Sequence, residues 1–227
     1  MIRFENVHKR YPNGREALAD ISFQLEKGDM AFLTGPSGAG KSTLLKLVAL
    51  IERPSRGTIL INNQNTSRIR RRNISYFRRQ IGTIFQDHKL LYDRTVFDNV
   101  ALPLVIAGLG RRETARRVRA SLDQVGLLGN EQQAPLGLST GEQQRVGIAR
   151  AIVGRPELVI ADEPTGNLDP DLSLEIMELF MRFNEVGVTV LIATHDLKLI
   201  EHLGQRRLEL HSGKLTVEPD DSFGLAT

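Results

Sequence analysis

The segment Gly35-Pro36-Ser37-Gly38-Ala39-Gly40-Lys41-Ser42 has the residue types and spacing of a loop that binds phosphate. It matches the pattern G-x-x-x-x-G-K-[ST], in which backbone N–H groups surround an anion and the following helix adds partial positive charge at its N-terminus. We expect Lys41 to reach the β- and γ-phosphates of a nucleotide, and the Ser42 hydroxyl to contact Mg²⁺.

The neighbours of this loop predict the elements that must position it. Met30–Thr34 is a short apolar run bounded by glycines, which is typical of a buried strand. After the loop, apolar residues at helical spacing predict one helix face, formed by Leu44, Leu45, Leu47, Val48 and Leu50. A strand, a glycine-rich turn and a helix in this order favour a phosphate loop over a chance glycine-rich turn.

Polar side chains follow three further apolar runs, at the points where the predicted strands end. They are Gln86, the pair Asp162 and Glu163, and His195. The carboxyl ends of parallel strands share one sheet edge, where ligands bind. Asp162 can then hold Mg²⁺ through water, Glu163 can take a proton from an attacking water, and His195 can contact a γ-phosphate. The alternatives are an acidic turn and a structural histidine. The preceding phosphate loop disfavours the first, and the shared sheet edge with Asp162 and Gln86 disfavours the second.

Residues 88–157 contain no long β-branched runs and predict a helical lobe inserted into the α/β core. One helix face around Val96–Leu104 is expected to stop at Pro103 and Gly108, and a second runs over Ala115–Val125. The lobe also carries Ser139 and Gly141 at a predicted helix start, which is a second anion site. Because one chain rarely needs two such sites for one nucleotide, this one is expected to serve a neighbouring chain.

Two surface features leave alternatives open. Tyr11, before the turn at Pro12-Asn13-Gly14, is either a half-buried strand residue or a ring that stacks on a purine. The basic stretch Arg68–Arg79 is either a solvated face or a contact with anionic lipid headgroups, each basic residue then gaining on the order of 1 kcal/mol. Nucleic acid comes third, because few aromatic side chains accompany these arginines.

Composition excludes several classes of protein. The chain has 227 residues, 41% of them hydrophobic and 25% charged, with a net charge of +3, which suits one soluble globular domain with little bias towards nucleic acid. The absence of cysteine excludes disulfides and Cys-based metal sites. The first residues lack the apolar region of a signal peptide, and no apolar run is long enough to span a membrane. We therefore expect a cytosolic protein unless a partner brings it to a membrane.

Together these segments resemble the ATP-binding cassette of ABC proteins, over essentially the whole chain. They are Gly35–Ser42, Gln86, Leu138–Gln143, Leu158–Glu163, Leu168-Asp169 and His195. The resemblance implies a P-loop NTPase (RecA-like) α/β core with an N-terminal antiparallel β-subdomain and an inserted α-helical subdomain. It implies one domain over 1–218, with the core at 1–87 and 158–218 and the helical subdomain at 88–157. The tail at 219–227 is acidic and contains Pro and Gly, so we expect it to be mobile.

The resemblance also assigns roles to residues. It implies Tyr11 against adenine, Ser42, Gln86 and Asp162 around Mg²⁺, Glu163 as general base and His195 on the γ-phosphate. The residues implied around the phosphates are Gly35, Pro36, Ser37, Gly38, Ala39, Gly40, Lys41, Ser42 and Thr43. Ser139 and Gly141 would contact the ATP of the opposite subunit in a head-to-tail homodimer, and Asp169 would communicate across that interface. Thr140 departs from the family, which usually has glycine there.

Within the family, four segments are similar to the bacterial cell-division ATPases: Ile84–His88, Asp93–Val96, Asn99-Val100 and Pro164–Asp169. That similarity implies an integral membrane partner of the FtsX type, a place on the cytoplasmic face of the inner membrane, and control of cell-wall hydrolases. Lipoprotein-release and macrolide-export ATPases share Pro164–Asp169 and are the nearest alternatives. A nucleotide-dependent scaffold for division proteins is a further one. DNA-repair ATPases are disfavoured because they carry long additional segments.

Overall fold

A computed structural model describes residues 1–217, so the tail predicted at 219–227 lies outside the described residues. The strands are β1 (Ile2–Arg10), β2 (Glu16–Leu25), β3 (Met30–Thr34), β4 (Arg56–Ile61), β5 (Gln64–Asn65), β6 (Ile81–Ile84), β7 (Leu158–Asp162), β8 (Thr189–Ala193), β9 (Arg206–His211) and β10 (Lys214–Val217). The α-helices are α1 (Lys41–Val48), α2 (Ile74–Arg78), α3 (Val96–Ile106), α4 (Arg111–Gln124), α5 (Thr140–Ile152), α6 (Pro170–Glu185) and α7 (Leu197–Leu203).

An antiparallel sheet near the N-terminus has the strand order β2-β1-β4-β5. Its strands alternate apolar and polar residues, and the apolar side chains face the interior, as with Ile2 and Phe4 on β1. The Phe4 and Phe23 rings stack with centroids 4.7 Å apart. This sheet forms the predicted β-subdomain.

The central sheet has the strand order β10-β9-β3-β8-β7-β6, with only β10 antiparallel to its neighbour. In its register Asp162 lies opposite Ala193, and Leu33 also lies opposite Ala193. Strands β3, β7 and β8 therefore end level with one another, and the residues that follow them meet at one edge.

Core side chains cover both faces of this sheet, because every residue of the inner strands β3 and β8 is buried. On β3, Phe32 packs into the core shared with α3, α5 and α6, whereas Ala31 and Leu33 pack into the core shared with α1 and the antiparallel sheet. The phosphate loop is thus held between two packed layers.

Two details differ from the sequence expectations. Helix α3 continues through Pro103 to Ile106, so the interruption predicted at Pro103 was wrong. Proline removes one backbone hydrogen bond, which costs about 3 kcal/mol in an isolated helix. Burial of the α3 face that contains Val96 and Val100 offsets this loss of stability. Helix α7 was not predicted; Asp196 caps its start and Gly204, with φ 61°, ends it.

The described residues contain no helix that is long and apolar enough to cross a membrane.

Candidate active site

Two glycines set the shape of the loop between β3 and α1. Gly35 and Gly40 have φ values of 137° and 114°, which disfavour other residues. A Cβ on Gly35 would lie 2.1 Å from the Leu210 carbonyl oxygen, and one on Gly40 would lie 2.6 Å from the Ala17 carbonyl oxygen. The first turn of α1 contains no acidic residue, and Gly40 provides no side-chain cap. Its N–H groups are therefore suited to an anion.

Lys41 is nearly buried, with 8% of its surface exposed, although it carries a charge. Its Nζ donates to the Gly35 carbonyl at 2.7 Å and lies 3.6 Å from Glu163 Oε1. Lys41 thus lies across the mouth of the loop, with its charge balanced by a carboxylate from the end of β7. A phosphate bound to Lys41 would compete with that carboxylate.

Glu163 and His195 form a pair at the sheet edge. Glu163 Oε2 lies 2.8 Å from His195 Nδ1, and the Glu163 N–H donates to the Ala193 carbonyl at 2.8 Å. Glu163 has φ 50°, in the left-handed region where a residue with a side chain is strained by roughly 1–2 kcal/mol. The chain turns sharply here, and strain of this kind is concentrated at functional sites.

Asp162 is a candidate ligand for Mg²⁺. Its Oδ1 is buried and has no hydrogen-bond partner among the described residues. Burial raises the pKa of the Asp162 carboxyl, a hydrogen bond from Ser42 lowers this pKa, and the Glu163 charge raises it. A buried carboxylate oxygen that lacks a partner, next to a hydroxyl, fits the oxygen donors that Mg²⁺ prefers.

Lys41, Glu163 and His195 border a cavity of about 510 Å³, within the usual range for a small-molecule site. The predicted site residues Gly35, Pro36 and Asp162 do not belong to its lining. Its lining consists of Arg15, Ser37, Gly38, Ala39, Gly40, Lys41, Ser42, Thr43, Gln86, Glu163 and His195. Sequence reasoning missed Arg15, whose guanidinium donates to the Gly38 carbonyl at 3.2 Å. The one available signal was a basic residue directly after the turn at Pro12-Asn13-Gly14.

Tyr11 lies beside α1. Its hydroxyl is 3.3 Å from Thr43 Oγ1 and donates to Glu52 Oε1 at 3.0 Å, and Lys9 Nζ lies 5.1 Å from its ring centroid. Tyr11 is half-buried and does not belong to the cavity lining found among residues 1–217. Its contact with adenine stays a prediction.

The second predicted anion site lies elsewhere on the chain. Ser139 caps α5, and its N–H and hydroxyl both donate to Glu142 Oε2, at 2.8 and 2.9 Å. The Ser139 N–H in particular lowers the pKa of the Glu142 carboxyl. A Cβ on Gly141 would lie 2.2 Å from Leu172 Cδ2, and Asp169 caps α6 by accepting from the Leu172 N–H at 3.0 Å. Ser139, Gly141 and Asp169 do not line the cavity described for residues 1–217.

The ABC transporter family model matches residues 18–166. The cell division ATP-binding protein FtsE of Escherichia coli (strain K12) is 58% identical over 215 residues, which cover 95% of this chain and 97% of that protein. FtsE of Bacillus subtilis (strain 168) is 46% identical over 99% of this chain and 97% of its own length. The chain belongs to the FtsE group of the ABC transporter family.

Solved structures agree with the assignment to the ABC transporter family. The ABC transporter cassette MJ0796 in its dimeric form superposes with a TM-score of 0.87 at 34% identity, covering 95% of this chain and 96% of that chain. A dimeric, post-hydrolysis state of MJ0796 bound to ADP and Pi gives the same TM-score at 33% identity. The FtsE-group chain therefore has the ABC ATPase fold and is an ATPase of the ABC type.

Proposed function

We propose that two copies of this chain bind two ATP molecules head to tail and that hydrolysis drives a membrane partner. This proposal rests on one observation: the residues predicted to bind ATP lie in two separate places on the chain. Lys41, Glu163 and His195 lie together in one cavity, whereas Ser139 and Gly141 lie outside it on the same chain. A second copy turned head to tail would bring its Ser139 and Gly141 to the phosphates held by the first.

Residues in and beside the cavity have distinct roles in this proposal. Lys41 and the N-terminus of α1 bind the phosphates, as charge-assisted donors do. Ser42, Gln86 and Asp162 would hold Mg²⁺, which supplies positive charge to the β- and γ-phosphate oxygens when bound. Glu163 accepts a proton from the attacking water, a role worth roughly 10²–10⁴ in rate.

Two other groups complete the ATP site in this proposal. His195 orients Glu163 through its Nδ1 and contacts the γ-phosphate, and Tyr11 contributes to adenine binding. Asp169 takes part in the contact between the two copies. The chain divides into a core at 1–87 and 158–218 and a helical subdomain at 88–157, and closure of the dimer is the motion passed to the partner.

The 58% identity to an FtsE over 95% of the chain favours a role in cell division. We propose an integral membrane partner of the FtsX type, which holds the ATPase on the cytoplasmic face of the inner membrane and passes its closure to cell-wall hydrolases. An ATPase of the lipoprotein-release or macrolide-export type is the alternative. Co-purification of the membrane partner distinguishes the two.

The head-to-tail arrangement can be tested by cross-linking, because the chain has no cysteine. Ser37→Cys places a thiol on the phosphate loop and Thr140→Cys places one at the start of α5, both at exposed positions. A mixture of the two single variants should form a disulfide-linked dimer with Mg-ATP and oxidant, and far less with ADP. Each variant alone is the control, and a product of twice the chain mass from either alone would contradict the arrangement.

We further propose that arginines of the stretch 68–79 contact anionic lipid. The Arg53 guanidinium donates to the carbonyls of Thr66, Ser67 and Ile69. These hydrogen bonds hold the turn at the start of the arginine stretch. The exposed arginines that follow make no ion pair within residues 1–217, and no Asp or Glu occurs between Glu52 and Asp87. They are Arg68, Arg70, Arg71 and Arg72. Arg78 and Arg79 instead donate to backbone carbonyls, so they contribute less.

Charge reversal at Arg71 and Arg72 should weaken binding to anionic vesicles. At about 1 kcal/mol per basic residue, Arg71→Glu with Arg72→Glu should lower the partition coefficient roughly tenfold or more. The measurement is co-sedimentation with phosphatidylglycerol-containing vesicles, repeated at high salt, which should weaken binding. Arg111→Glu with Arg112→Glu, an exposed pair on α4, is the matched control. Equal losses from both pairs would contradict a specific lipid-binding surface.

A further inference from the structure

Arg150 ties the loop that carries Gln86 to the last turn of α5. Its Nη1 donates to the Lys89 carbonyl at 2.7 Å, and its Nη2 donates to the His88 carbonyl. The side chain is partly buried, and burial lowers the pKa of its guanidinium. No carboxylate among the described residues pairs with Arg150. The hydrogen bonds of its guanidinium are therefore made to two successive backbone carbonyls.

Those carbonyls belong to a turn of unusual geometry. His88 and Lys89 have φ values of 54° and 49°, so two successive residues with side chains lie in the left-handed region. Residues with side chains rarely adopt this conformation, because the Cβ atom lies too close to the following carbonyl oxygen. Such a turn persists where surrounding contacts over-determine it, and the planar fork of Arg150 holds both carbonyls at once.

A second contact joins the same turn to the same helix. Gln144, on α5, has only 1% of its surface exposed, and its side chain interacts with His88. Burial lowers the pKa of the His88 ring, and Gln144 raises this pKa. Within residues 1–217, Gln144 Nε2 and His88 Nδ1 have no hydrogen-bond partner, so this contact is weaker than that of Arg150. The turn after Gln86 is therefore fixed to α5 at both Gln144 and Arg150.

We propose that Arg150 is a positioning residue for Gln86, and that α5 and the Gln86 turn move as one body. The inference rests on the proposed function, in which Gln86 lies beside Mg²⁺ in one ATP site while Ser139, at the start of α5, contacts the other. Helix α5 runs without interruption over 13 residues, from Thr140 to Ile152. Docking of Ser139 on the partner's ATP would thus set the position of Gln86 beside the chain's own ATP.

The test is Arg150→Lys, which keeps the charge but cannot donate as a fork to both carbonyls. We expect the Mg²⁺ concentration for half-maximal ATPase activity to rise at least about threefold and kcat to fall. Binding of a fluorescent ATP analogue without Mg²⁺ should stay within about twofold of the unmodified chain. The double variant Arg150→Lys with Gln86→Ala should need nearly the same Mg²⁺ concentration as Gln86→Ala alone, because both substitutions weaken the contact of Gln86 with Mg²⁺.

The control is Arg145→Lys, on the same helix, where Arg145 pairs with Glu175 and Val125 instead. Its Mg²⁺ dependence should not change. If Gln86→Ala leaves the Mg²⁺ dependence unchanged, the role of Gln86 in the proposed function is wrong. If Gln86→Ala shifts it but Arg150→Lys does not, or the two effects multiply, the positioning role is overturned.

If Arg150→Lys unfolds, Gln144→Leu removes the second contact with little change in volume. It should shift the Mg²⁺ dependence in the same direction by a smaller factor. An unchanged Mg²⁺ dependence in folded Gln144→Leu would also overturn the inference.

Discussion

Glu163→Gln is expected to bind Mg-ATP, to hydrolyse it at least about a hundredfold more slowly, and to accumulate as a dimer. The glutamine amide cannot accept the proton of the attacking water. It also removes a negative charge that lies 3.6 Å from Lys41 Nζ, and so removes a competitor of the phosphates. Phosphate release measures the rate, and light scattering at saturating Mg-ATP measures the mass.

The matched control for this substitution is Glu157→Gln. Glu157 is exposed, precedes β7 at the opposite end from Glu163, and lies 3.7 Å from Lys27 Nζ. It should leave both rate and mass unchanged. A Glu163→Gln variant that binds ATP but stays monomeric would contradict the ATP-sandwiched dimer. Rescue of dividing cells by Glu163→Gln would instead favour a scaffold whose hydrolysis is incidental.

Lys41→Ala is expected to lower ATP affinity by roughly a hundredfold, about 2.7 kcal/mol, because the triphosphate loses a nearly buried charge partner. The substitution also removes the donor to the Gly35 carbonyl, so part of the loss comes from a looser loop. Titration with a fluorescent ATP analogue measures the affinity, and thermal unfolding shows how much stability is lost.

Lys46→Ala is the control for charge, since Lys46 lies on the exposed side of the same helix. Its effect on affinity should be within about twofold. Equal losses from both lysines would mean that net charge, and not the position of Lys41, binds the phosphates.

Local pattern made much of this fold predictable. The apolar run Met30–Thr34 and the glycines after it defined a strand and a turn, and the structure has both. The gathering of Gln86, Glu163 and His195 followed from one physical rule, because parallel strands end at one edge. Both outcomes depend on short-range periodicity or on sheet geometry, which sequence alone expresses.

Other features depend on contacts that no local pattern encodes. Arg150 looked like an ordinary basic residue on a helix, and its partners His88 and Lys89 lie about sixty residues earlier in the chain. The rule that proline ends a helix considers only the local sequence, so it predicted a helix end at Pro103. The packing that keeps α3 helical through Pro103 comes from other helices. Helix α7 was too short for its periodicity to be seen.

Leu172 gives the two ATP sites of the proposed dimer a shared part. Its N–H donates to the side chain of Asp169, the residue that caps α6. The Leu172 side chain packs so closely on Gly141 that a Cβ there would lie 2.2 Å from Leu172 Cδ2. Asp169 follows Glu163 of the chain's own site by six residues, whereas Gly141 would face the site of the other copy in the proposed dimer. A change at one ATP that displaces Asp169 must then move the surface offered to the second ATP. The ATPase rate is accordingly expected to depend sigmoidally on ATP concentration, because Leu172 couples the two ATP sites of the dimer.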